Sequence, residues 1–447
     1  MRRSFFLSFA LGCLSLFPLA AQPPSTGGGL KSLTILHSND LHARLLPDDQ
    51  DRGGFARLAT LVRQQKARTP ACLYLNAGDL VQGTPVSPIF RGLPVYQVAN
   101  LIGLDAGTLG NHEFDYGWRR AREFARTATF PIVSANIVDA SGASFTGKPY
   151  VIRTVDGIRV AIIGVVLSDL AGKFVTFDQV GPYKVLPVVE TVRKYAAELR
   201  GRSDIIVVLG HIHDKEEVEA ILNEVPDVSV VVAGHSHDGY PQMLNVDGRV
   251  AVLVHSYGTE LGRLDLKLDI AAKKVRSAEW TKIPVDAKIS PDPKVQALAE
   301  SWEAKVSKIV DKPIGQSARR FTNVELRPLI EKSMAEKTGA DFAWINLGNV
   351  RDVLPKGQIL ERHVWNILPF DNSLVTGKFK GSQLPESVTA RYPVEPGKEY
   401  TVTTVDFIAL NQAASDQLNA TGLEFPITGA LQREVFIEWI RKQKILQ

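Results

Sequence analysis

The segment Thr108-Leu109-Gly110-Asn111-His112-Glu113-Phe114-Asp115 opens as the end of an apolar run and passes at once into side chains that bind metals and carry protons. Four other places repeat the pattern. The run 33–37 leads to Asn39-Asp40-Leu41-His42, and 72–76 leads to Gly78-Asp79. The run 205–209 leads to Gly210-His211-Ile212-His213, and 228–233 leads to Gly234-His235-Ser236-His237. These runs are short and rich in β-branched residues, as strands buried on both faces are. Helix-like segments lie between them at 55–66, 96–102, 188–200 and 215–223. Strands alternating with helices predict an α/β domain with helices covering a central sheet. Ligands of open α/β sheets bind beyond the carboxyl ends of the strands, so the five loops are expected to meet at one site.

The rest of the chain sets the frame for that domain. Its 447 residues are 45% hydrophobic and 22% charged, which excludes a disordered or fibrous protein. The length asks for two or three domains. A formal charge of +4 gives no reason to expect a nucleic-acid polymer as partner, and two cysteines cannot make a disulfide scaffold. Arg2 and Arg3 precede an apolar run at 5–19 and then Ala20 and Ala21, the layout of a cleaved secretory signal over residues 1–21. That run is shorter than the ~20 apolar residues a membrane span needs, and Pro18 breaks it. Cys13 after Gly12 only loosely suggests a lipid-anchor site. A secreted protein without a membrane span is therefore expected, in the bacterial periplasm and as a monomer. Cys72 reads as a buried small hydrophobe. The catalytic domain is placed at 30–286. A connector helix follows at 287–312, apolar-periodic over 294–310 and stopped by Pro313. Residues 313–447 form a second, smaller domain with a helix at 326–337 and strands at 342–345, 374–378 and 401–407.

The five loops bring Asp40, His42, Asp79, Asn111, His211, His235 and His237. One tetrahedral metal cannot use so many ligands, but two ions can if a carboxylate bridges them. Mixed imidazole and oxygen donors suit Zn, Mn, Fe or Co better than Ca or Mg. Six of the nine histidines lie in these loops, a clustering that scattered structural histidines would not give. Two metals ~3.5–4 Å apart can neutralise a phosphoryl group and hold its attacking and leaving oxygens in line, with a hydroxide bridging the ions as nucleophile. His112 follows Asn111 and should lie beside the metals. Asp115 could orient and charge it, or could instead cap the start of the next helix.

Taken together, Asn39-Asp40-Leu41-His42, Gly78-Asp79, the 110–115 segment, the His211 loop and Gly234-His235-Ser236-His237 resemble the metallophosphoesterase signature. The segment Asn111–Asp115 and Gly53-Gly54-Phe55-Ala56-Arg57 are similar to its 5′-nucleotidase branch. That resemblance implies a calcineurin-like α/β/β/α sandwich followed by an α/β substrate-specificity domain. It also implies that Asp79 bridges two divalent ions, that Asp40, His42 and His237 hold one of them, and that Asn111, His211 and His235 hold the other. His112 with Asp115 would be the catalytic dyad, while His213 matches no required ligand.

The resemblance continues less tightly through the second domain. Asn346-Leu347-Gly348-Asn349-Val350-Arg351 looks like the family's Asn-x-Gly-Gly-Ile-Arg loop, in which the Arg reaches the substrate phosphate. Leu368-Pro369-Phe370-Asp371-Asn372 resembles its Pro-Phe-x-Asn segment, and Phe407 occupies the place of a second stacking aromatic. By that likeness Arg320, Asn346, Gly348, Arg351, Phe370, Asn372 and Phe407 would bind substrate. From the residues alone, Phe370 and Phe407 could equally be core. Two departures stand out. Asn349 replaces the second Gly of the pair, and residues 410–416 replace the family's Gly-Gly-Asp-Gly segment, leaving Asp416 as a shifted substitute for its ribose contact. The implied reaction is phosphate release from nucleotides, with 5′-nucleoside monophosphates leading. UDP-sugars and 2′,3′-cyclic nucleotides are alternatives. So are thiosulfate esters on a carrier protein, or capture of nucleotide or metal without turnover.

Overall fold

The structure is a computed structural model that describes residues 30–384, 386–410 and 427–447. The expected signal segment, Cys13 and residues 411–416 lie outside those residues. The first part is built on two six-stranded sheets. One runs in the order Lys274–Pro284, Glu260–Asp269, Lys31–Ser38, Cys72–Asn76, Ala106–Thr108, Ile132–Val133. The other runs Leu244–Val246, Arg249–Val252, Val230–Gly234, Ile205–His211, Ile158–Val166, Tyr150–Val155. The strands from Lys31–Ser38 to Ile132–Val133 and from Arg249–Val252 to Ile158–Val166 run parallel, Glu260–Asp269 pairs antiparallel with both neighbours, and every residue of Cys72–Asn76, Ile205–His211 and Val230–Gly234 is buried.

The inner faces of the two sheets meet in one core, where Leu33, Ile35, Leu73 and Leu75 join Ile162, Val207, Leu209, Val230 and Val232. The outer faces are covered by helices. Phe55–Arg68 packs with Leu36 and Tyr74, and Val188–Leu199 packs with Ile163, Val165 and Val208. This is the α/β/β/α sandwich that the family resemblance implies, where the strand pattern alone suggested one central sheet. Its geometry aligns the carboxyl ends of parallel strands from both sheets along one edge.

The helix Pro293–Val310 starts on Asp292, whose carboxylate accepts from the backbone N–H groups of Lys294 and Val295. It buries Val295, Ala299, Val306 and Val310 in the first part's core. The residues beyond form their own core from Ile314 to Leu446. That core lies around a four-stranded sheet (Phe342–Ala343, Glu399–Val405, Ser373–Lys380, Ile427–Leu431) and the helices Asn323–Thr338 and Gln432–Gln443. Asn323–Thr338 carries a reciprocal capping box between Thr322 and Glu325. One expected strand changes character. The run 401–407 is strand only to Val405, and Asp406–Leu410 is helix, so Phe407 stands on a helical turn.

Candidate active site

Each of the five loops leaves the carboxyl end of a parallel strand. Asp40 and His42 follow Lys31–Ser38, Asp79 follows Cys72–Asn76, and Asn111 follows Ala106–Thr108. His211 is the last residue of Ile205–His211, and His235 and His237 follow Val230–Gly234. The backbone here is strained. Asp40 (φ 50°), His42 (φ 45°), Asp79 (φ 52°), His235 (φ 91°) and His237 (φ 68°) all lie in the left-handed region. Side chains other than glycine pay on the order of 1–3 kcal/mol for such a conformation, and it persists where surrounding structure over-determines it. Glycine supplies the close approach: a Cβ on Gly110 would sit 2.0 Å from Asp79 Oδ1.

Glu113 secures the arrangement from beneath. It is fully buried, and its carboxylate accepts from the backbone N–H groups of Asp79 (3.1 Å), Leu80 (3.0 Å) and Gly110 (2.6 Å). One side chain thus ties the Asp79 loop to the Asn111 loop. The sequence reading passed over it, because a Glu inside a motif looks like one more surface carboxylate. Asn39 does a related job, donating to Asp40 Oδ2 (2.7 Å) and to the Val254 carbonyl (3.1 Å).

The expected ligands gather in overlapping groups. Asp40, His42 and His237 bring ligand atoms within 4.8 Å of one another, and so do Asp40, Asp79 and His211. His42 Nε2 and His237 Nε2 lie 2.9 Å apart. His211 Nε2 lies 3.2 Å from Asp79 Oδ2 and 3.0 Å from Asn111 Oδ1. The Nδ1 of His211 donates to the Ala77 carbonyl at 2.9 Å, which points Nε2 into the site. His235 is the outlying member. Its ring is 5.2 Å from that of His211 and packs edge-on against Phe174 at 4.9 Å. His213 turns away to Asp169, 2.9 Å from its Nε2.

The electrostatics fit a cation seat. Burial holds His42 and His235 well below the usual imidazole range and His237 at about 3, so all three are neutral, the form that binds metal. Burial also pushes Asp40 up to about 6, against the pull of His211. Burial opposes a charge on His211 too, yet Asp79 and Asp40 outweigh it and raise the imidazole to about 9. Two buried carboxylates here attract whatever cation is at hand, and a divalent ion competes with the proton for the same place. Donor types, convergence and neutral imidazoles all suit divalent transition metals.

His112 borders this cluster. Its backbone N–H donates to Asp79 Oδ1 (3.0 Å), and its Nδ1 is 2.8 Å from Asp115 Oδ2. Burial works against its charge, but Asp115 and Asp79 outweigh burial and raise its pKa. The helix-cap alternative for Asp115 is not what the structure has. The next helix, Trp118–Thr127, starts on Gly117 without a side-chain cap, and the Asp115 carboxylate faces His112.

A cleft of about 580 Å³ opens above these groups, lined from both parts of the chain. Asp79, Asn111, His112, Asp115, His235 and His237 form one wall, and Asn346, Gly348, Arg351, Phe370, Asn372 and Phe407 the other. Arg351 Nη2 lies 3.4 Å from His42 Nε2, and the Phe370 ring is 5.8 Å from that of His112. Phe370 is no part of the second core, whereas Phe407 both lines the cleft and packs partly against that core. Arg320 stands outside this lining, 46% exposed, with Asp49 Oδ2 3.6 Å from its Nε. Asn349 costs less than the missing glycine suggested, since it adopts no positive φ and is buried in the turn Leu347–Asn349. Lys173, Phe174 and Gln179 also line the cleft, unforeseen because they lie outside every strand-end motif.

Comparison with known proteins bears on these residues. The calcineurin-like phosphoesterase family matches residues 33–239, and the 5′-nucleotidase C-terminal domain matches residues 304–391. Endonuclease YhcR of Bacillus subtilis is 30% identical over 418 residues, which cover 83% of this chain but 34% of that protein, so the chain spans about a third of its length. Protein UshA of Yersinia enterocolitica is 29% identical over 449 residues, covering 86% of this chain and 81% of that one. The crystal structure of a 5′-nucleotidase precursor from Thermus thermophilus superposes with a TM-score of 0.84 at 24% identity, over 93% of this chain and 97% of the other.

Proposed function

We propose that this chain, which belongs to the calcineurin-like phosphoesterases with a 5′-nucleotidase C-terminal domain and so is a metal-dependent phosphoester hydrolase, releases phosphate from 5′-nucleoside monophosphates outside the cytoplasm. The observation that carries this reading is the shared cleft, where a cation seat and His112 face Arg351, Phe370 and Phe407. Asp40, His42 and His237 would hold one divalent ion and Asn111, His211 and His235 a second, with Asp79 common to both. Such ions neutralise phosphoryl charge and acidify water, the two services phosphoryl transfer needs.

The chain's own residues do the rest. The Arg351 guanidinium meets the non-bridging phosphate oxygens, which its planar fork matches. His112, held at Nδ1 by Asp115, gives the proton on Nε2 to the leaving ribose oxygen. Phe370 and Phe407 take the base between their faces, worth about 1–3 kcal/mol per base, and Asn372 hydrogen-bonds its edge. Secretion rests on the basic and apolar stretch at 2–21, and no helix among the described residues is long and apolar enough to cross a membrane. The test is hydrolysis, with Mn, Zn or Co added, of AMP to adenosine and phosphate, of UDP-glucose to UMP and glucose 1-phosphate, and of 2′,3′-cyclic AMP to a monophosphate, each product separated by chromatography. AMP is expected to be the best substrate, and silence on every nucleotide would sink the reading.

A further inference from the structure

What places Arg351 is visible on both sides of its loop. On its own side, the Arg351 backbone N–H donates to the Ile367 carbonyl at 2.9 Å. On the other side stands the next residue. Asp352 Oδ2 accepts from Arg44 Nη2 at 2.9 Å, a contact that joins the two parts of the chain across 308 positions. Asp352 Oδ1 accepts from the Val353 N–H at 2.8 Å, so the carboxylate is oriented by its own backbone.

Arg44 is equally fixed. It lies two residues past His42, with its guanidinium over the Tyr257 ring at 4.7 Å. Tyr257 is itself seated against the site, with its ring 5.6 Å from those of His42 and His237 and its N–H donating to the Asp40 carbonyl at 2.7 Å. The two charged side chains are 15% and 19% exposed. A guanidinium stacked on a ring and half-withdrawn from water gives up little freedom in making such a pair. It differs from a surface ion pair, whose long side chains must be ordered for little return.

We propose that Arg44 and Asp352 form a clamp between the two walls of the cleft that sets where Arg351 stands over the phosphate site, making both positioning residues for substrate recognition. The clamp rests on the reading that Arg351 meets the phosphate. It explains why an arginine two residues past His42 is turned toward the second part of the chain: the loop that carries expected metal ligands also carries the gauge that fixes the phosphate-binding arginine relative to them. Displacements on the order of 1 Å in such a group cost up to about a hundred-fold in rate or binding.

The test uses the full chain loaded with Mn, with R44M, R44K, D352N and R351A, and R44M added to R351A. Three quantities are read: KM and kcat for AMP, affinity for inorganic phosphate by calorimetry, and Tm. R44M and D352N should each raise KM and weaken phosphate binding about ten-fold while kcat stays within about two-fold, the pattern of lost uniform binding. R44K, which keeps the charge without the fork, should recover part of the loss. In the R351A background, R44M should change phosphate affinity by less than about two-fold, because its effect acts through the missing side chain. Unchanged KM and phosphate affinity in folded R44M and D352N, while R351A is impaired, would overturn the clamp alone. So would an R44M effect that persists undiminished in R351A. If R351A itself binds phosphate normally, the phosphate role assigned to Arg351 fails, and the clamp falls with it.

Discussion

The two walls of the cleft are built by opposite means. On the first wall the site residues stand on loops cut short at strand ends; Asp40, His42, Asp79, Asn111 and His211 are buried, His235 and His237 partly so, and five of the seven expected ligands have positive φ. Their positions are dictated by backbone: Glu113 pins two loops together, and Gly110 leaves room for Asp79 and nothing more. On the second wall, Asn346, Phe370, Asn372 and Phe407 are only partly buried and Gly348 is exposed, all without positive φ. A wall that holds cations has to be rigid, because donor atoms must converge whether or not the fold is relaxed there. A wall proposed to read a base can be softer, since stacking tolerates many orientations.

That contrast can be broken from the rigid side first. H112N should lower kcat by about 10²–10⁴-fold, the usual worth of a placed proton donor, while metal content measured by atomic absorption stays unchanged. G110A comes next. The added methyl has no place beside Asp79, so at least about ten-fold loss of activity and reduced metal content are expected. Normal metal content in that variant would mean the rigid wall is softer than described. On the other wall, F370A should raise KM for AMP by roughly five- to a hundred-fold, matching about 1–3 kcal/mol of stacking. The same variant should leave hydrolysis of a base-free phosphate ester nearly untouched, and equal losses on both substrates would erase the distinction between the walls.

The smallest effect concerns stability. His37 is buried, accepts from Trp280 Nε1 at 2.9 Å, and is held by burial and nearby Lys282 at about 3, against an ordinary 6.5. Between those values the unfolded chain takes up a proton that the fold excludes. Stability should therefore be steady above pH 6.5 and fall as pH drops toward 3. H37Q should flatten this acid limb in urea titrations, and an acid limb as steep as the parent's would show that His37 contributes nothing to it.

The rigid wall was also the legible one. Apolar runs that stop at His, Asp or Asn reveal strand ends directly, and the sheet geometry then brings them together. What the residues could not reveal was the means of holding them. Positive φ at Asp40 or His237 leaves no trace in composition, and Glu113 works through the backbone amides of two loops, a role its place in the motif does not announce. The edge strand Lys274–Pro284 escaped notice because its side chains are mostly exposed, so the expected apolar alternation is faint. In the second part of the chain, Phe407 lies just past a strand end that an apolar run marks only loosely, and Arg320 was assigned by likeness alone, with no strand end beside it to fix its place.

The pin made by Glu113 has a consequence for how the molecule comes apart. Its carboxyl group satisfies amides of two separate loops at once, so neither loop can open without leaving buried polar groups unpaired. The amides of Asp79, Leu80 and Gly110 therefore belong to the slowest-exchanging class, alongside those of the central strands, although they stand in loops. On the proposed reading, the cation seat would therefore open only together with the sandwich that carries it.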